Sequence, residues 1–247
     1  MAISIFLEQE RAFEINISEF ISNVVETSDL VAFGETKHGD HNQVFQLFTN
    51  NMSRFTGIFL ETPVSLQSSI DNYLENEVFN ERLEQMFAGA EREGKDIRTT
   101  FNLLLDCARV NGLKVVCIDS SKIETNEYFR QSPFGYYWLR GESRNEDMFT
   151  NVSSDFVLGK KWVLIGGSQH IKVGVHHRSG DFTLGKRLKD KVGNNFFSIC
   201  LVKKESYGQI DFYSSNSQEL QKILSGSDNQ LIDESGNNYF DGYIVHS

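Results

Sequence analysis

Four short runs, Asp29–Gly34, Gly57–Glu61, Leu113–Asp119 and Lys161–Gly167, are apolar at almost every position rather than at alternate ones. A strand wetted on one face alternates apolar and polar side chains, so near-continuous runs predict strands covered on both faces, as in a parallel sheet. A fifth β-rich run, Asn195–Val202, follows. Between the runs the apolar spacing takes a helical period over roughly His41–Met52, Ser65–Leu74, Asn80–Ala88, Thr99–Val110 and Ser143–Val157. Strand and helix in alternation predict an α/β fold with a mostly parallel central sheet flanked by helices. Asp40 is placed to cap the helix opening at His41, and Ser143 with Glu146 has the spacing of a capping box.

At 247 residues the chain suits a single elaborated domain, and 39% hydrophobic residues, with 20 Phe and only 2 Pro, supply its core. The formal charge of -10, with no basic run longer than Lys160-Lys161 or Lys203-Lys204, argues against nucleic acid and anionic lipid as partners. Cys107, Cys117 and Cys200 stand apart in apolar patterns with no C-x-x-C pair, the habit of reduced packing residues. The opening Met1-Ala2-Ile3-Ser4-Ile5-Phe6-Leu7 is too short and lacks the basic start of an export signal, and no run is long enough for a membrane span. The expectation is a soluble protein, cytoplasmic in the producing cell, with export by a route that needs no hydrophobic signal left open. Aromatic residues crowd Tyr128–Gly141, either as a lid over a pocket or as a satellite core beneath a long loop. Ser214–Asn238 reads as a peripheral helix with turns.

In an open parallel sheet, functional groups gather beyond the carboxyl ends of the strands. Glu35 follows the first run, Glu61 and Asp119 close the second and third, and Gly166-Gly167-Ser168-Gln169-His170 follows the fourth. A helix leaving that edge begins there, which adds Arg144, Asp40 and His41 to the same surface. An arginine in the first turn of a helix is locally unfavourable by roughly 0.3–1 kcal/mol, so facing carboxylates or an anionic group would explain it. In Gly34-Glu35-Thr36-Lys37-His38-Gly39, the carboxylate and imidazole lie about one turn apart, the arrangement that fixes a histidine tautomer for general-base work. The plainer reading has both side chains satisfying turn backbone groups. A buried Glu61 needs a partner, and Arg144 or a histidine would serve. No metal or cofactor is called for. The spacing of His170, His176 and His177 fits no known zinc pattern, although the carboxylate and imidazole set admits manganese or zinc. Dinucleotide, P-loop and serine-hydrolase motifs are missing from the sequence.

These blocks resemble the EreA/ChaN-like superfamily, which joins erythromycin esterases, haem-uptake ChaN-like proteins, Tiki proteases and certain bacterial toxin and effector domains. Phe33-Gly34-Glu35-Thr36-Lys37-His38-Gly39 resembles the G-E-x-x-H-G block of the esterases. Leu60-Glu61 with Gln67 and Asp71-Asn72-Tyr73-Leu74 resembles the second block, Ser143-Arg144-Asn145-Glu146-Asp147-Met148 with Asn151-Val152 the block R-D-x-x-M-A-x-N, and Gly166-Gly167-Ser168-Gln169-His170 the terminal one. The resemblance implies catalytic roles for Glu35, His38, Glu61, Arg144 and His170. Asn145 stands where the family carries an acid, and the chain is much shorter than macrolide esterases.

The expected function is hydrolysis of an ester or amide. His38, oriented by Glu35, would be the general base, His170 the partner acid or donor, Glu61 a positioning group and Arg144 a stabiliser of developing negative charge. A small-molecule or protein substrate fits, and the compact size resembles secreted bacterial virulence effectors acting in host cells. Two alternatives stand beside it: a haem- or ligand-binding module of the ChaN type, and an effector recognised by a host protein without turnover.

Overall fold

The computed structural model describes residues 3–5, 10–120, 142–175, 182–203 and 239–246. Its strands are β1 (Ile3–Ile5), β2 (Leu30–Glu35), β3 (Gly57–Pro63), β4 (Lys114–Asp119), β5 (Trp162–Gly167), β6 (Phe196–Lys203) and β7 (Gly242–His246). They form one sheet in the order β1-β7-β6-β2-β5-β3-β4, with every pairing parallel. The helices are α1 (Glu10–Thr27), α2 (Asn42–Thr49), α3 (Gln67–Asn76), α4 (Glu81–Arg92), α5 (Ile97–Asn111), α6 (Glu142–Asp155), α7 (Ser168–Ile171) and α8 (Leu184–Val192). The five expected strands are β2 to β6, and the five expected helices are α2 to α6. The short outer strands β1 and β7 and the helices α1, α7 and α8 are additions to that expectation.

Odd and even positions of each strand feed two cores. On one face Val31, Phe33, Ile58, Leu60, Val163 and Ile165 pack under α1 to α5, with Phe45, Phe48 and Phe87 among the fully buried rings. On the other, Leu30, Ala32, Phe59, Trp162 and Leu164 meet Met148 and Val152 of α6 and Leu184 and Leu188 of α8. Every residue of β2 is buried, which is why its sequence shows no alternation.

Two local expectations are corrected. Asp40 does not cap α2: His41 holds the cap position without a side-chain hydrogen bond to the helix, and Asp40 instead pairs with Lys37 at 3.3 Å. Helix α6 begins at Glu142, so Ser143 lies inside its first turn rather than at the cap, and its side chain is outside the described residues. Working caps are Asn80, Asp96 and Thr183, each accepting from the backbone N–H three residues on, at Leu83, Thr99 and Lys186. Tyr128–Gly141, His176, His177 and Ser214–Asn238 also lie outside the described residues.

At the β4 edge of the sheet a side chain takes up backbone groups of the strand. Gln67, opening α3, donates Nε2–H to the Val115 carbonyl at 2.8 Å and accepts from the Cys117 N–H at 2.8 Å. Cys107, Cys117 and Cys200 are free thiols. Burial pushes all three up, Cys117 to about 12, so none is a thiolate at neutral pH. Among the described residues no helix is long and apolar enough to cross a membrane.

Candidate functional site

The carboxyl ends of β2, β3, β4 and β5 deliver Glu35, Glu61, Asp119 and Gly167 to one edge, as the order of the strands requires. Just past β2 the chain turns through Gly39, whose φ of +85° lies in the left-handed region that a side chain resists. The turn folds His38 back so that its Nδ1 meets Glu35 Oε2 at 2.9 Å, while Gly39 donates its N–H to Glu35 Oε1 at 3.2 Å. A carboxylate acceptor at Nδ1 puts the proton there, so Nε2 is the basic nitrogen of the neutral ring. Burial lowers the affinity of His38 for its proton, but the hydrogen bond and charge of Glu35 and the charge of Glu61 outweigh it and raise the pKa to about 9. With 39% of its side chain exposed, His38 is reachable from solvent.

Glu61 is the centre of a second group. Its Oε1 accepts from Arg144 Nη2 at 2.6 Å and lies 3.6 Å from His170 Nε2, and its Oε2 accepts from the Gly167 N–H at 2.5 Å. Burial would raise the Glu61 carboxyl, but His170, Arg144 and His38 together bring it down to about 2, so it is ionised at any physiological pH. Arg144 also grips Asp119 with two bonds, Nε to Oδ1 at 2.8 Å and Nη2 to Oδ2 at 2.6 Å. Burial pushes Asp119 upward, and the guanidinium only partly offsets it. The guanidinium thus spans both carboxylates, which explains an arginine in the first turn of α6.

Gly166 makes room for this arrangement, since a Cβ on it would stand 2.6 Å from Glu61 Oε2. One residue on, a Cβ at Gly167 would lie 3.4 Å from His38 Nε2 and 3.5 Å from Glu61 Oε2. His38 Nε2 and Glu61 Oε2 thus both stand beside Gly167, while Glu61 Oε1 faces His170. The structure brings together all five residues singled out from the sequence: Glu35, His38, Glu61, Arg144 and His170.

Two further residues belong with them. Asp119, noted as closing its strand, shares Arg144 with Glu61. Asn145, fully buried, accepts at Oδ1 from the Leu184 N–H at 3.3 Å and from His170 Nδ1 at 2.8 Å. The backbone donor fixes the amide orientation, so Nδ1 of His170 carries a proton and Nε2 faces Glu61. The signal for Asn145 was its position beside Arg144, where the resembling family has an acid. Among the described residues, no three His, Cys, Asp or Glu side chains are grouped to hold a metal ion.

His41, expected near the site, turns away from it. Its Nδ1 meets His246 Nε2 of β7 at 2.7 Å, both rings being buried, and its Nε2 lies 3.4 Å from Thr36 Oγ1. Burial first, then the neighbouring His246 and His38, hold its pKa well below 6.5. A histidine kept neutral in the fold takes up a proton on unfolding below about pH 6.5, so its contribution to stability is present above that pH and is lost as pH falls. His38 has the opposite sign: its contribution is full below about 6.5 and is lost as pH rises through about 9. Urea midpoints should fall from pH 7 to pH 5, and a His41→Asn chain should lose much of that dependence. An unchanged slope in the variant would show that His41 is not the group responsible.

The pocket beside the site has a volume of about 260 Å³, with Glu35, His38 and Glu61 among its walls. The sequence matches no family model. It matches no curated protein either. Solved structures do match. An erythromycin esterase in its open conformation aligns with a TM-score of 0.54 at 12% identity, over 75% of this chain and 72% of that one. A succinoglycan biosynthesis protein aligns with a TM-score of 0.55 at 11% identity, over 81% and 76%. RRSP, a MARTX toxin effector domain from Vibrio vulnificus, aligns with a TM-score of 0.51 at 19% identity, over 75% of this chain and 35% of that one. The chain thus has the α/β fold of the erythromycin esterase, the fold that the motif resemblance implied.

Proposed function

We propose that this protein hydrolyses an ester or amide bond, with His38 as the general base. The observation that carries the reading is the 2.9 Å bond from His38 Nδ1 to Glu35, which leaves Nε2 as the nitrogen that takes up and releases the proton on the wall of a solvent-reachable pocket. Water attacks the carbonyl carbon as its proton passes to Nε2. The carbon–heteroatom bond then breaks, and the leaving group takes a proton from an imidazole, His38 or His170. Arg144 acts through Glu61: its bonds to Glu61 and Asp119 hold the carboxylate that in turn faces His170. The fold shared with a toxin effector domain supports a setting in which the protein acts as a secreted bacterial effector in a host cell.

Turnover of p-nitrophenyl esters between pH 6 and 10 tests the assignment. A base that must be deprotonated gives kcat/KM rising about tenfold per pH unit up to about 9, where His38 titrates, and level above it. A profile flat from pH 7 and falling above 9 would make His38 an acid instead. No turnover of any ester or amide would remove the hydrolase reading.

A further inference from the structure

The pocket is chemically two-sided. One wall is the Glu35, His38 and Glu61 cluster, and an apolar wall faces it: Leu60 and Ile165 come from β3 and β5, Met86 from α4, and Ile97, Phe101 and Leu104 from α5, with Thr62, Thr100, Glu93 and Lys95 also in the lining. The apolar residues come from the same face of the sheet, the one covered by α1 to α5. The cation at the rim, Lys95, is held by Glu93 at 2.6 Å. Three carboxylates, Glu35, Glu61 and Glu93, also line the cavity. Each of these carboxylates has a cation beside it, His38 at Glu35, Arg144 at Glu61 and Lys95 at Glu93, so the lining charges are already matched, and a neutral apolar substituent would remove hydrocarbon walls from water without disturbing them.

We propose that this cavity is the acyl subsite of the enzyme and takes the neutral hydrocarbon chain of a medium-length carboxylic ester or amide. The proposal rests on the hydrolase reading for the reaction, though not for the binding. An apolar cavity of about 150 Å³ accommodates benzene, so 260 Å³ has room for an acyl chain of about eight to ten carbons. A chain seated there ends with its carbonyl at the polar wall, beside His38 Nε2. The neighbouring Ala90 of α4, half-buried, is the position from which the cavity can be shortened without touching the Glu/His cluster.

Calorimetric titration with straight-chain alkanamides of two to twelve carbons reads the subsite independently of turnover. Affinity should tighten by about fourfold per methylene, the ratio expected for a buried CH₂, and level off at about eight to ten carbons. In an Ala90→Leu chain the levelling point should move to shorter amides. Affinity that ignores chain length, or a levelling point that Ala90→Leu leaves in place, would overturn the proposal. The matching p-nitrophenyl ester series separates the two ideas. Length-dependent amide binding with no ester turnover would keep the subsite and remove the hydrolase reading; turnover without length dependence in either series would do the reverse.

Discussion

An Arg144→Ala chain is expected to lose about 3–5 kcal/mol of stability, the cost of leaving buried charge without its partner. The side chains of Arg144, Glu61 and Asp119 are only 15%, 7% and 5% exposed, so water cannot replace the guanidinium. For a chain of this length the melting temperature should drop by on the order of 10 °C. A triple variant, Arg144→Met with Glu61→Gln and Asp119→Asn, removes the charges together and should recover most of the loss while remaining inactive. Thermal denaturation of the two variants decides the matter. An Arg144→Ala chain that melts with the wild type would mean that the carboxylates do not depend on this arginine.

His38→Ala should behave in the opposite way, with a large loss of activity and a small loss of stability. Removing a general base costs about 10²–10⁴ in kcat. Glu35 keeps the Gly39 N–H as donor, and the partly exposed position of His38 lets water reach the vacated side, so the stability cost is about 1–3 kcal/mol. His38→Gln retains a side-chain amide for Glu35 and should melt closer to the wild type while staying inactive. Rates and melting curves measured on the same preparations test this pairing. If activity falls only in proportion to folded protein, His38 has a structural role.

The central strands were legible because burial on both faces writes itself into the sequence as unbroken apolar runs, as in Leu30–Phe33 and Trp162–Ile165. Polar residues ending those runs located Glu35, Glu61 and Asp119 at one edge. Helix α1 carried a readable stripe, Ile17, Phe20, Ile21, Val24 and Val25, and α8 another, Leu184, Leu188 and Val192, yet neither was separated from its polar surroundings. The strands β1 and β7 are too short for periodicity to mark them. What sequence spacing could not show is pairing across the fold. Asn145 meets His170 over 25 residues and His41 meets His246 over 205, and nothing local distinguishes such a side chain from a solvated one. The proposed subsite was hidden for a related reason: Met86, Phe101 and Leu104 read as ordinary core positions, and nothing local in the sequence shows that they line a cavity.

Gln67 has a consequence beyond holding α3 in place. A strand from a second molecule docking on β4 would need the Val115 carbonyl and the Cys117 N–H, and one primary amide already engages both. The glutamine is in effect a one-residue terminating strand, and it denies β4 the continuous ladder on which stacked sheets and fibrils grow. In a polypeptide with so many apolar strand segments, this side chain works against the recruitment of further copies at the β4 edge.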